Sequence, residues 1–217
     1  MSEKAQINES WHGIERDNNK DDVYVFENGD LSLYVVFDGV STTKDARILI
    51  DIVKGYLDSH VHELNQKSLS ELFYDANVYS LSHEIGDGAS TYVALLIDSK
   101  KNTQTISWLG DSRIYGFIKD DQIIKRLTKD HSLEEEPNVI TKGLGFDDMV
   151  RNDFEEKIID LEYGFLLCTD GFYEFFEDDG EDMLDIILLK NSKDVQEGFE
   201  TIVAGSNTDD ATYMLVQ

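Results

Sequence analysis

The sequence predicts an α+β protein in which helices cover antiparallel sheets. Apolar runs of strand length outnumber helical patterns, and several of them follow one another as meanders joined by turn residues. The helical stretches are collected between blocks of strands, without the regular alternation of a βαβ fold.

The elements follow in order. Val23 to Phe26 and Leu31 to Phe37 flank Glu27-Asn28-Gly29-Asp30, the signature of an antiparallel hairpin. Two helical stretches come next. Lys44 to Ser59 carries Ile48, Ile52, Val53 and Tyr56, expected on one face, and Leu69 to Ile85 carries Leu72, Phe73, Ala76 and Tyr79 at helical spacing. Short strands are expected at Thr91 to Ile97, Thr103 to Leu109, Ser112 to Ile118 and Gln122 to Leu127, joined by turns rich in Asp, Asn, Lys and Gly. An irregular acidic stretch leads to a strand at Phe165 to Cys168, helices at Glu181 to Leu189 and Asp194 to Ala204, and a last strand at Thr212 to Val216. No internal repeat and no Pro-, Gly- or Ser-rich linker divides the 217 residues, so a single domain over 1–217 is expected.

Charge narrows the partners. Asp and Glu number 45 against 19 Lys and Arg, and a net charge of -26 repels nucleic acid and anionic lipid. No apolar run approaches the roughly 20 residues of a membrane helix. The start, Met1 to Gln6, is polar, so a cytoplasmic location is expected. Cys168, the one cysteine, sits inside a predicted buried strand, which suits a reducing compartment and a core role.

The functional signal lies at strand ends. Leu33 to Phe37 runs into Asp38-Gly39, and Phe165 to Cys168 runs through Thr169 into Asp170-Gly171. A carboxylate at the mouth of a buried strand is costly unless a cation or donor meets it. Asp209 stands just before the last strand, so three distant aspartates can converge on one divalent-metal site. Hard cations such as Mg²⁺ and Mn²⁺ take such oxygen ligands, and the chain has no Cys cluster or His pair at zinc spacing. Taken singly, each Asp-Gly is an ordinary turn former.

The surrounding motifs decide between those readings. Arg16 to Asp21, Asp38-Gly39, Ala89-Ser90-Thr91, Gly110-Asp111-Ser112-Arg113, Asp130-His131-Ser132, Asn138 to Gly145, Thr169-Asp170-Gly171 and Asp209 to Thr212 follow one another along nearly the whole length. In that order they resemble the motifs of the metal-dependent protein serine/threonine phosphatases of the 2C type, the PPM family, with a compactness that looks bacterial. The resemblance implies a four-layer α-β-β-α sandwich of two antiparallel sheets flanked by helices, with two Mn²⁺ or Mg²⁺ ions at one edge. It implies that Asp38 bridges the ions, that the Gly39 carbonyl contacts one, that Asp170 and Asp209 hold the other, and that Asp21 acts through water. Asp111, with Asp170, matches a position able to hold a third ion. Arg16 matches the arginine that binds the substrate phosphate, and its planar fork suits two phosphoryl oxygens.

The implied reaction is attack of a hydroxide bridging the metals on phosphoserine or phosphothreonine of a protein, opposing a serine/threonine kinase in signalling. No phosphoenzyme is needed, and Cys168 lacks the setting of a nucleophile. Two rivals stand beside it. One is a catalytically silent phosphoprotein-binding module, against which the intact Asp21, Asp38, Asp170 and Asp209 argue. The other is an acidic calcium binder, for which no Asp-x-Asp-x-Asp-Gly loop is present.

Four departures from the family pattern stand out. Lys20 replaces an acid or amide, which puts a cation beside the site and is expected to weaken metal affinity. Val40 follows Asp38-Gly39 where eukaryotic members often carry a histidine proposed as general acid. Asp210 replaces an asparagine and adds charge beside Asp209. Only Leu133 to Pro137 separates two motifs that a longer insertion separates in bacterial relatives, so a short flap is expected around 131–150. His131 is expected to be structural, His12 to lie near the site, and His60, His62 and His83 to lie on helix surfaces.

Overall fold

In a computed structural model, residues 6–83, 86–159, 163–176 and 180–217 are described. Their strands form two five-stranded antiparallel sheets. One has the order β2 (Asp22–Asn28), β3 (Leu31–Gly39), β4 (Ser90–Asp98), β5 (Thr103–Leu109), β8 (Glu155–Ile159). The other has the order β1 (Gln6–Trp11), β10 (Ala211–Val216), β9 (Gly164–Cys168), β6 (Arg113–Ile118), β7 (Ile123–Arg126).

The central apolar runs read as strands are buried on both faces, and strand alternation explains why. Leu33, Val35 and Phe37 face the helices α1 (Ala46–His60) and α2 (Leu69–Leu81), whereas Tyr34 and Val36 face the other sheet. Across the sandwich, Leu166 and Cys168 face α4 (Gly180–Ile187) and α5 (Ser192–Val203), while Phe165 and Leu167 meet Tyr34 and Val36 in the central layer. Three apolar layers therefore separate four layers of secondary structure, as the four-layer expectation has it. Among the described residues, no helix is long and apolar enough to cross a membrane.

Several boundaries differ from the sequence reading. Helix α1 buries Ala46, Leu49, Ile50, Val53 and Leu57, and leaves Ile48 51% exposed, so the inward face is rotated from the expected one. Helix α2 buries Leu72, Phe73 and Ala76, but Tyr79 lies outside, where it packs on Tyr56 and His83. It ends at Leu81, and the expected extension to Ile85 falls partly outside the described residues. Ser68 starts it with a capping box, its hydroxyl accepting from the Glu71 N–H while Glu71 accepts from the Ser68 N–H.

Two edge strands escaped the sequence reading. In β1 only Ile7 and Trp11 are apolar, yet it pairs with β10 over its whole length and stacks Trp11 on Phe172 and Tyr213. Strand β8 is charged and largely exposed, and it is held by pairing with β5. Residues 131–150 add only the isolated bridges Ser132–Ile140 and Ser90–Leu144.

Candidate active site

The strand ends collect at one edge of the sandwich. Asp38 is the second-last residue of β3, where it pairs with Thr91, and the Asp38 carbonyl accepts from the Ser90 hydroxyl at 2.8 Å. Asp170 opens a one-turn helix α3 (Asp170–Tyr173) after β9, Asp209 and Asp210 precede β10, and Asp111 lies in the turn between β5 and β6. Arg16 and Asp21 come from the β1–β2 connection. Asp38, Asp111, Asp170, Asp209 and Arg16 line one cavity of about 300 Å³, whose walls also include Val40, Ser41, Thr91, Asn138 and Ile140. Asp21 lies just behind them, its carboxylate accepting from the Thr169 hydroxyl at 3.0 Å.

Five carboxylates this close oppose one another. Asp38 keeps some exposure as a residue, but its carboxyl is desolvated, and burial followed by the charges of Asp170, Asp21, Asp111 and Asp209 holds its pKa well above the usual range. Burial likewise raises Asp21 well above its ordinary value, with Asp210 and Asp170 adding to the rise. Asp111 is pushed up to about 7 by burial and by Asp170, and Asp170 is raised by burial and by Asp209. The Oδ1 of Asp21 is buried with no hydrogen-bond partner among the described residues. A desolvated, all-oxygen, mutually repelling set with an orphaned carboxylate oxygen fits hard divalent cations.

The side chains are not, however, drawn onto one point. Among the described residues no group of three His, Cys, Asp or Glu is arranged to hold an ion as it stands. Arg16 explains part of this. Its guanidinium forks onto Asp209, with Nε to Oδ1 at 2.6 Å and Nη2 to Oδ2. The fork foreseen for phosphate thus takes the nearest planar anion, a carboxylate, with the same two-pronged geometry.

Lys20 stands beside the site, as its place in the motif implies. Its ammonium is committed to backbone, donating to the Ser41 carbonyl at 2.6 Å and the Thr43 carbonyl at 2.7 Å. Gly39 is confined beneath it, since a Cβ there would stand 2.7 Å from the Lys20 carbonyl oxygen.

Behind the site lies a network that joins two of the motifs to each other and to Tyr173, a residue outside all of them. Arg113 is bound by Asp130 at 2.9 Å and lies 3.6 Å over the ring of Tyr173, whose hydroxyl donates to the Asp111 carbonyl. His131 is structural, as expected. Its Nδ1 accepts from the Gly110 N–H at 3.2 Å, and the His131 backbone N–H donates to the Gly110 carbonyl at 2.9 Å. Glu174 and Thr208 line the cavity without any signal in the motif reading. Cys168 is fully buried, and burial pushes its thiol up, so it is a core residue.

No family model matches the chain. The serine/threonine phosphatase stp of Listeria monocytogenes is 25% identical over 237 aligned positions, covering 93% of this chain and 91% of that protein. The crystal structure of serine/threonine phosphatase Stp1 from Staphylococcus aureus superposes with a TM-score of 0.80 at 22% identity, covering 100% of this chain and 94% of that one. The serine/threonine phosphatase PstP/Ppp of Mycobacterium tuberculosis gives 0.77 at 18% identity, covering 99% and 98%. The sandwich is the fold of these enzymes, shared also with the PPM Ser-Thr phosphatase MsPP from Mycobacterium smegmatis at a TM-score of 0.77. In sequence the chain is similar, at 25% identity or less, to bacterial serine/threonine phosphatases of the Stp1 and PstP kind.

Proposed function

We propose that this chain, as one PPM-type domain with a short flap at 131–150, hydrolyses phosphoserine and phosphothreonine on proteins. The observation that carries the reading is the meeting of Asp38, Asp111, Asp170 and Asp209, with Asp21 behind them and Arg16 beside them, around one cavity in this fold.

In this reading Asp38, Asp170 and Asp209, with the Gly39 carbonyl and Asp21, hold two Mn²⁺ or Mg²⁺ ions, and Asp111 with Asp170 offers a third position. Such ions, when bound, neutralise a phosphomonoester and lower the pKa of water. The protein's own share is positioning. Arg16 exchanges Asp209 for two phosphoryl oxygens and fixes the orientation of the phosphorus. Thr169 and Ser90 hold Asp21 and the Asp38 backbone in place. Val40 lines the cavity where a proton donor would be useful, so this side chain gives the leaving alkoxide no proton. The reading places the protein in the cytoplasm, opposite a serine/threonine kinase.

A second reading, a silent phosphoprotein binder, draws on the Arg16–Asp209 clasp and on Lys20 in place of an acid. One assay separates them: phosphate release from p-nitrophenyl phosphate and from a phosphothreonine peptide, with Mn²⁺ and with EDTA. Turnover only with the metal supports the phosphatase, whereas peptide binding without turnover supports the binder.

A further inference from the structure

Two departures from the family pattern, Lys20 and Asp210, touch each other in the fold. The buried Asp210 carboxylate accepts two main-chain N–H groups, Gly13 at 2.9 Å on Oδ1 and Lys20 at 2.7 Å on Oδ2. These donors stand at the two ends of the loop that carries Arg16. An asparagine has one acceptor oxygen and an amide that only donates, so it leaves one of the two N–H groups facing a donor.

The loop is further zipped to the 207–210 segment. The Ile14 N–H bonds the Asn207 carbonyl at 3.0 Å, and the Glu15 N–H bonds the Thr208 carbonyl at 3.3 Å. Gly13 packs so closely that a Cβ would lie 2.4 Å from the Asp209 carbonyl carbon.

From Lys20 the grip continues across the site. Its ammonium holds the carbonyls of Ser41 and Thr43, in the loop that follows Asp38-Gly39, and Ser41 walls the cavity together with Arg16. A second groove of about 360 Å³ shares Arg16 and Ser41 and has Lys20 in its wall.

We propose that Asp210 and Lys20 are positioning residues that act as a two-ended staple, fixing the Arg16 loop and the Ser41–Thr43 loop at the distance a substrate phosphate requires. The phosphate rests on the function proposed above; the staple itself does not. Asp210 supplies both acceptors for the Arg16 loop, and Lys20 transmits that anchorage to the opposite wall.

The test uses the full chain and three variants, Asp210→Asn, Lys20→Met and Lys20→Arg, each read in two ways. Amide hydrogen exchange at Gly13 and Lys20 should quicken by roughly tenfold or more in Asp210→Asn. The KM for a phosphothreonine peptide should rise roughly fivefold to tenfold in Asp210→Asn and Lys20→Met, the net loss expected of one hydrogen bond, with kcat within about twofold. Lys20→Arg, which can still reach both carbonyls, should restore KM. Unchanged amide protection in Asp210→Asn, or a fall in kcat at constant KM, overturns the proposal.

If the wild type hydrolyses nothing, calorimetric titration with inorganic phosphate replaces KM. Weaker phosphate binding in the variants then supports the staple while the catalytic reading fails. Unchanged phosphate binding overturns the positioning role. Should Asp210→Asn fail to fold, Lys20→Met carries the test through KM and phosphate affinity, with Lys20→Arg as its rescue.

Discussion

Asp38 carries a heavy electrostatic load, because burial and four neighbouring carboxylates all press on one side chain. Its removal relieves that repulsion and at the same time deletes the central ligand of the proposed site. Asp38→Ala should therefore fold as well as the wild type or better, yet lose activity by about a thousandfold or more, since electrostatic stabilisation supplies most of the catalysis. Steady-state kinetics beside a thermal melt check both halves, and near-native activity would show the site to be misplaced. Val40 makes a second test. Without a proton donor at this wall, a serine or threonine alkoxide should leave with more difficulty than p-nitrophenolate. Val40→His should raise turnover on a phosphothreonine peptide relative to p-nitrophenyl phosphate, by up to about a hundredfold. The ratio of the two rates across pH 6 to 9 is the measurement, and an unchanged ratio refutes the argument. The site aspartates were legible in the sequence because each stands at the end of an apolar strand or in a motif. The direction of Lys20 was not, because a side chain that turns back onto Ser41 and Thr43 carbonyls leaves no trace in spacing.

At the scale of elements, the central strands and the edge strands β2 and β7 were readable, and the edge strands β1 and β8 were not. Strands β3, β4, β9 and β10 are apolar on both faces because helices cover one side and the other sheet covers the second. Strands β1 and β8 sit at sheet edges, bury little and carry charge, so pairing alone defines them. The inward face of α1 was misjudged because Ile48 is as apolar as its buried neighbours, and only packing tells them apart. Helix α2 owes its start to a local device. Ser68→Ala removes one half of a reciprocal cap and should cost about 1 kcal/mol, seen as a lower denaturant midpoint at constant slope. No change in midpoint would mean that tertiary packing alone starts the helix. Gly171 ties an element to the site: a Cβ there would lie 2.1 Å from the Asp210 carbonyl oxygen, so the first turn of α3 can approach β10 only with glycine in place.

For the whole molecule, the acidic cluster links stability to pH and to cations. Asp21, Asp38, Asp111 and Asp170 have folded pKa values raised above the unfolded value of about 3.9, with Asp111 near 7. Over that window the native state binds more protons than the unfolded chain, so stability falls as pH rises from about 4 through about 7. Chelator-treated protein should melt at a lower temperature at pH 8 than at pH 6, and Mn²⁺ should raise the melting temperature most at the higher pH, because it binds the native state. Melting scans at pH 6, 7 and 8 check this, and a melting temperature in EDTA that ignores pH would contradict the clustering. The most direct test of the proposed function is phosphate release from a phosphothreonine peptide by one protein sample in Mn²⁺, then in excess EDTA, then with Mn²⁺ restored. The account predicts turnover, its loss and its return; turnover that persists in EDTA, or none with Mn²⁺ while the peptide still binds, would contradict it.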